Sequence, residues 1–285
     1  MKVGKIFVVA TPLGNMEDMT YRAVRILREV DLVAAEDTRR AQQLLQYWQI
    51  TGKRLVSYYD PVELQRSETL LNTIEAEGCS LALISDAGTP CIADPGYRLI
   101  SGARKRGIEV IPVPGASSLV SAVSVAGLPR DEFLFIGFLP TKNKALVEQV
   151  SSWAGRSRTV VYFEATRRLK RSLAVIRDIY PSSRVCICRE MTKTYEEYAA
   201  LDIQQALDWA NQHTQLKGEV VVVWHLASTT PVSTEEFAGI SLEEMVLTFF
   251  AQGGTLREGL RQFRDCGLTR QELYSFLLEK RPKHS

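Results

Sequence analysis

The sequence predicts an α/β protein, with two tandem α/β domains followed by a small all-helical unit. Three observations carry this expectation. Residues 5 to 114 alternate short apolar runs with amphipathic segments, residues 133 to 226 repeat the alternation, and beyond residue 240 the apolar period is purely helical. Strands that alternate with helices in this way form a largely parallel sheet covered on both faces. A chain of 285 residues is long enough for two such domains and a smaller third.

The first strand is expected at Ile6–Thr11, followed by an amphipathic helix in TYRAVRILREV. A second strand, Asp31–Ala35, opens into EDTRR. There Glu36 and Asp37 read equally as an N-cap with a first-turn acid before TRRAQQLL or as substrate contacts. Strands at Arg54–Tyr58 and Leu81–Ser85 flank the helical LQRSETLLNTIEAEG, and Tyr58 is expected to be buried. The segment SLALISDAGTPCIADPG, residues 80 to 96, runs from an apolar strand into a loop of Gly and Pro that lets backbone approach a ligand. Asp94 reads as the cap of a helix starting at Pro95. Asp86 sits at the carboxyl end of its strand, where open α/β sheets hold ligands. The fifth strand, Val110–Val113, ends in PGASS, and a boundary after residue 115 leaves 116–132 as a connecting apolar helix and the loop PRDEF.

In the second domain, 116–230, strands are expected at Phe133–Phe138, Thr159–Glu164, Val185–Arg189 and Glu219–Leu226, with helices around 144–154, 169–179 and 203–212. Residues 231–240 read as a linker, and 241–285 as a three-helix unit opened by the capping boxes Ser241-x-x-Glu244, Thr255-x-x-Glu258 and Thr269-x-x-Glu272. Seven basic against eight acidic residues from 235 to 285 give that unit no nucleic-acid signature, so packing or oligomer stabilisation explains it at least as well as RNA contact.

Composition narrows the classes further. No run of about 18 apolar residues is present for a membrane span, and the apolar run near the start is too short for a signal peptide. Five cysteines, at 79, 91, 186, 188 and 266, contain no CxxC pair and point to free thiols in a reducing cytoplasm. Cys186 and Cys188 alternate on a strand and so share a face. His213, His225 and His284 are far apart with no HExxH, so no metal is expected. Net charge is +2, but Lys142 to Lys193 holds twelve Lys or Arg against four acids, a stretch that suits a phosphate-bearing partner or a solvated face alike.

No GxxxxGK[ST] and no GxGxxG opening a helix after the first strand occurs, so polyphosphate and dinucleotide sites are disfavoured. The loops TPLGN, EDTRR, DAGTP and PGASS instead offer rigid main-chain donors and acceptors with little bulk, which suits an adenosine-like ligand.

The motifs ATPLGNMEDMT, AAEDTR, SDAGTPCIADPG, PGASS, GFLP, YFEATRRL and REMTKTYEE, in this order, resemble the ribosomal RNA small subunit methyltransferase I family, a branch of the tetrapyrrole methylase superfamily. The resemblance runs from about residue 5 to 226, and the helical tail is similar to that family's C-terminal domain. It departs at EATRR, where such families often carry a His before the last Arg, so a role for Arg167 is weakened while Glu164 and Arg168 stay in place. The resemblance implies an S-adenosylmethionine (AdoMet) enzyme that methylates the 2′-hydroxyl of a cytidine in 16S rRNA near the decoding centre. It also implies a homodimer, and AdoMet folded into the cleft between the two α/β domains. Carried over by motif, Leu13, Asp86, Ala87, Gly88, Ile92, Ala93, Ser117 and Ser118 would line the cofactor, with Phe163 on the third-from-last strand closing it.

A ribose hydroxyl becomes a better nucleophile when a base accepts its proton. The candidates are Glu36, Asp37, Glu164 and Lys193, with Glu190 as a further carboxylate and Asp86 better suited to fixing a loop or the cofactor. Arg39, Arg40, Arg168, Arg189 and Lys193 are candidates for RNA phosphates, and Tyr59 and Tyr195 for stacking a splayed base. Two other readings stand beside this one: a tetrapyrrole (corrin precursor) methyltransferase of the same superfamily, and a non-enzymatic RNA-binding module.

Overall fold

A computed structural model describes residues 4–153, 158–213, 218–226, 242–251, 255–256, 259–260, 263 and 270–280. The chain divides into two compact units, residues 1–227 and 228–285.

The first unit carries two five-stranded sheets. The first sheet is built from β1 (Lys5–Val9), β2 (Leu32–Ala35), β3 (Arg54–Ser57), β4 (Leu81–Ile84) and β5 (Glu109–Val113), in the order β3-β2-β4-β1-β5 and wholly parallel. β2 and β4 are buried at every position because helices cover both faces. Alternation sends Val33, Ala35, Ala82 and Ile84 against α1 (Tyr21–Glu29) and α2 (Thr38–Tyr47). It sends Leu32, Ala34, Leu81 and Leu83 against α3 (Glu63–Glu77) and α4 (Tyr97–Lys105).

Two helix starts in the first sheet's layer follow local chemistry, and the start of α4 does not. Thr20 caps α1 by accepting from the Ala23 N–H, and Asp37 caps α2 by accepting from the Arg39 N–H. Asp94 does not cap α4. That helix begins at Tyr97, after Gly96, and has no cap from its own side chains. Glu63 of α3 supplies the acceptor instead: its Oε1 takes the N–H groups of Gly96 at 3.0 Å and Arg98 at 3.1 Å, and the Tyr58 hydroxyl donates to it at 3.2 Å. The chain between Asp94 and Tyr97 cannot wind into a helix because Gly96 adopts φ +149° with the Cys91 side chain pressed against it.

α5 (Ser118–Val125) leads into the second sheet, formed by β6 (Phe133–Phe138), β7 (Arg158–Ala165), β8 (Arg184–Arg189), β9 (Glu197–Asp202) and β10 (Glu219–Leu226) in the order β6-β7-β10-β8-β9. β6 runs parallel to β7, and the remaining neighbours pair antiparallel. β9 is absent from the sequence reading: it is an edge strand with alternating half-buried and exposed positions, and its YAAL stretch holds no β-branched residue. Val160, Tyr162, Ile187, Val222 and Trp224 face α6 (Asn143–Ser151), α7 (Thr166–Ile179) and α8 (Ile203–Gln212). The opposite face, with Val161, Phe163, Cys186, Cys188, Val221 and Val223, packs on α5 and on Leu13 from the first sheet's β1 loop. Cys186 and Cys188 share that face with their sulfurs 3.8 Å apart, and the described cysteines are free thiols.

In the second unit, helices Leu242–Ala251 and Arg270–Lys280 enclose Val246, Phe250, Phe263, Leu273 and Leu277. The expected linker and the capping residues Ser241, Glu258 and Thr269 lie outside the described residues. No described helix is long and apolar enough to cross a membrane.

Candidate functional site

Every strand of a parallel sheet ends on one edge, and every following helix starts there. β2 and β4 are neighbours, yet α2 leaves toward β3 on one face and α4 leaves toward β5 on the other. A crevice opens between strand ends at such a point. A cleft of about 210 Å³ occupies this place, lined by Thr11, Leu13 and Gly14 of the β1 loop, Ala35 at the end of β2 and Asp37 beyond it, Arg40 and Leu44 on α2, and Ser85 and Asp86 beyond β4.

The loops around it are stitched together through main chain. Thr11 and Gly88 exchange two backbone hydrogen bonds, each 2.9 Å, and the Thr11 hydroxyl donates to the Ser85 carbonyl at 3.0 Å. Thr89 donates to the Ala116 carbonyl at 3.0 Å, tying the β4 loop to the start of α5. Gly88 has φ +85°, and a Cβ there would stand 3.1 Å from the Leu13 side chain. Both carboxylate oxygens of Asp86 hold the α2 entrance, Oδ1 accepting the Asp37 N–H at 3.1 Å and Oδ2 pairing with Arg40 at 3.2 Å.

A turn of the second sheet closes on the β1 loop. Thr192 Oγ1 accepts the Asn15 N–H at 3.2 Å, and the Lys193 stem lies where a side chain on Gly14 would have to sit. Glu190 and Thr192 hold left-handed backbone, φ 49° and 67°, a costly conformation for residues with a Cβ. Lys193 Nζ pairs with Glu190 at 3.0 Å.

Further carboxylates stand close enough to Asp86 of the crevice to feel its charge. Burial, then the neighbouring charges of Asp86, Glu219 and Asp60, push the Asp94 carboxyl up to about 6. Burial, then Asp86, Asp94 and Asp60, also raise Glu36, with Arg40 opposing. Asp37 is held at about 2 by its hydrogen bonds with Arg39.

The predicted residues therefore separate. Leu13 and Asp86 line the cleft, Gly88 backs Leu13, and Ala87, Ile92 and Ala93 stand exposed on the outer β4 loop. Ser117 caps α5, with its hydroxyl 3.5 Å from the Val120 N–H, and Ser118 is the first residue of that helix. Phe163 lies on β7, fourth from last because β9 intervenes, and shares a cluster with Leu13. Glu164 is fully buried and held by Arg168 Nε at 2.6 Å. Arg189 pairs with Glu197 at 3.1 Å, and both Arg168 and Arg189 are only 18 % exposed. Arg39 forks onto Asp37 at 2.8 Å while remaining 88 % exposed. Tyr58 is buried, as expected. Gly14, Thr192 and the α2 face with Ala41 and Leu44 join the site beyond the motif-based set. Only the TPLGN loop hinted at Gly14, and nothing local pairs Asn15 with Thr192.

Comparison with known proteins gives consistent results. The family described as "Tetrapyrrole (Corrin/Porphyrin) Methylases" matches residues 5–207. The "Ribosomal RNA small subunit methyltransferase I" of Halalkalibacterium halodurans is 38 % identical over 275 residues, covering 95 % of this chain and 94 % of that protein. The protein of the same name from Synechocystis is 39 % identical over 279 residues, covering 97 % and 98 %. Among solved structures, the methyltransferase CobJ superposes with a TM-score of 0.60 at 19 % identity, over 79 % of this chain and 95 % of that one. Uroporphyrin-III C-methyl transferase from Thermus thermophilus, complexed with S-adenyl homocysteine, gives 0.54 at 16 % identity over 78 % and 97 %. At those identities the likeness is one of fold.

Proposed function

The chain belongs to the tetrapyrrole methylase family, within its ribosomal RNA small subunit methyltransferase I group, and from that premise we propose that it methylates the 2′-hydroxyl of a cytidine in 16S rRNA near the decoding centre. Family membership supports AdoMet-dependent methylation of small-subunit rRNA, and the ribose of a cytidine is the finer part of the reading.

One observation carries it: at the crevice between β2 and β4, small-residue loops joined through main chain meet a turn from the second sheet. This suits AdoMet. The cleft is smaller than the usual ~300–1,000 Å³ of small-molecule sites, so it would take part of the molecule, with Ala87, Ile92, Ala93, Ser117, Ser118 and Phe163 bordering the rest. Leu13, backed by Gly88, offers apolar contact to an adenosine, while the Gly88 N–H and carbonyl are already paired with Thr11, and the carboxylates of Asp86 and Asp94 suit a cationic ligand. When bound, AdoMet supplies an electrophilic methyl carbon on a sulfonium. The protein's part is alignment, exclusion of water and removal of the ribose proton.

Glu36 is best suited to take that proton. Its half-buried carboxyl is raised, whereas Glu164 is spent on Arg168, Asp37 caps α2 and pairs with Arg39, and Lys193 is paired with Glu190. Of the arginines and lysine expected at phosphates, Arg39, Arg40 and Lys193 are the exposed ones at this edge, while Arg168 and Arg189 orient carboxylates within their own lobe. The reading includes a homodimer acting in the cytoplasm on the small ribosomal subunit.

The test incubates purified 30S subunits with the enzyme and labelled AdoMet, then maps the product by reverse transcription at low nucleotide concentration. A stop at a cytidine ribose near the decoding centre is expected. Label on a base refutes the 2′-hydroxyl. No transfer to subunits with transfer to a corrinoid refutes the RNA assignment.

A further inference from the structure

The three most exposed large apolar side chains among the described residues are all tyrosines: Tyr21 at 97 %, Tyr97 at 78 % and Tyr195 at 75 %. A ring left in water at this level serves no core, and large exposed apolar side chains gathered in one region mark a binding surface. Tyr21 and Tyr97 stand on the carboxyl edge of the first sheet, one on each face of it, and Tyr195 stands in a second-sheet turn that meets this edge. Tyr21 is the first residue of α1 and Tyr97 the first of α4, and both helices follow strands of a wholly parallel sheet, so both start on the crevice edge. Tyr195 belongs to the second-sheet turn whose Thr192 and Lys193 meet Asn15 and Gly14 of the β1 loop. The helices bury other faces: α1 uses Ala23, Val24, Ile26 and Leu27, and α4 uses Leu99 and Ala103.

An exposed arginine follows each helix tyrosine at the same place in the first turn, Tyr21-Arg22 and Tyr97-Arg98. Aromatic faces with adjacent guanidinium groups match single-stranded nucleic acid: bases stack on rings in any sequence, and cations track the phosphates. We infer that Tyr21, Tyr97 and Tyr195 are stacking platforms for unpaired RNA bases flanking the target nucleotide, with Arg22 and Arg98 at the intervening phosphates. This rests on the reading of the chain as an rRNA methyltransferase, and it adds how the strand on either side of the reacting ribose is held. A ribose presented at the crevice must bring its neighbours along this edge.

The test titrates the full-length protein with a single-stranded, cytidine-containing oligoribonucleotide at several salt concentrations. Tyr21→Ala, Tyr97→Ala and Tyr195→Ala should each weaken binding by about fivefold to 150-fold, with AdoMet affinity unchanged as proof that the crevice stands. Tyrosine-to-phenylalanine variants should bind like wild type, because a ring suffices for stacking. The logarithmic salt slope should be unaltered in the tyrosine variants and fall by about 1 in Arg22→Ala. Wild-type affinity of all three alanine variants would overturn the inference. So would a loss seen with 30S subunits but not with naked RNA, which would point to a ribosomal protein contact. Phenylalanine variants as weak as alanine, or variants that sediment as a different oligomer, would overturn it as well. Because this titration needs no methyl transfer, a failure of transfer to 30S subunits in the preceding experiment is read separately.

Discussion

Gly88→Ala puts the crevice to a quantitative test. Gly88 sits at φ +85°, where an L side chain costs about 1–2 kcal/mol. Its new Cβ would also lie 3.1 Å from the Leu13 side chain, so Leu13 must retreat by a few tenths of an ångström. The cheapest escape is for the Asp86–Thr89 loop to shift away from Leu13. At about 1.4 kcal/mol per decade, 1–2 kcal/mol makes the competent loop roughly 5- to 30-fold rarer, and the apparent AdoMet dissociation constant rises by the same factor. Calorimetric titration measures this directly. Gly107→Ala is the control: φ is +71° with no atom within 4 Å of the added Cβ, so it carries similar strain far from the crevice. It should lower Tm by about 2–4 °C per kcal/mol and leave AdoMet affinity alone. If Gly88→Ala binds AdoMet as tightly as wild type while Gly107→Ala loses stability, the β4 loop is no part of the grip.

Three further outcomes follow from the same geometry. Glu63→Ala removes the acceptor shared by Gly96, Arg98 and Tyr58 and should cost about 1–2 kcal/mol of stability; Glu63→Gln, which keeps an acceptor, should lose less in thermal denaturation. Asp94 releases its proton at about 6 in the folded chain and near ~3.9 when unfolded, so the folded chain holds the extra proton between those values. Stability from this group therefore falls as pH rises through that window and stays lost above it. Asp94→Asn should raise Tm relative to wild type at pH 7.5, with the gain vanishing below about pH 4, as a Tm series across pH will show. Thr192→Val leaves the Asn15 N–H without its acceptor across the two lobes and should weaken AdoMet binding roughly two- to tenfold, measured by the same calorimetry.

Signals within a few residues were legible in the sequence. Asp37 as the α2 cap, buried Tyr58 and the shared face of Cys186 and Cys188 all emerge from local spacing and strand alternation. The Asp94 cap fails for the same reason: Asp-Pro is a sound local start signal, yet Glu63, 33 residues before Gly96, takes the role. β9 escaped because an edge strand needs only one apolar face. The Glu164–Arg168 pair lies four residues apart at the mouth of a helix and could have been recognised as an ion pair.

The amino-acid order alone determined the α/β character of the two sheets, the strand-end loops and their motifs, because apolar period and turn chemistry act over a handful of residues. Only the tertiary structure decided that the crevice opens between β2 and β4, that Thr192 and Lys193 reach the β1 loop, and that Arg39, Arg40, Arg168, Arg189 and Lys193 each already face a carboxylate. Those are contacts between segments up to 177 residues apart, set by strand order and by which carboxylate each folded edge places within reach of a charge, and no local pattern encodes them.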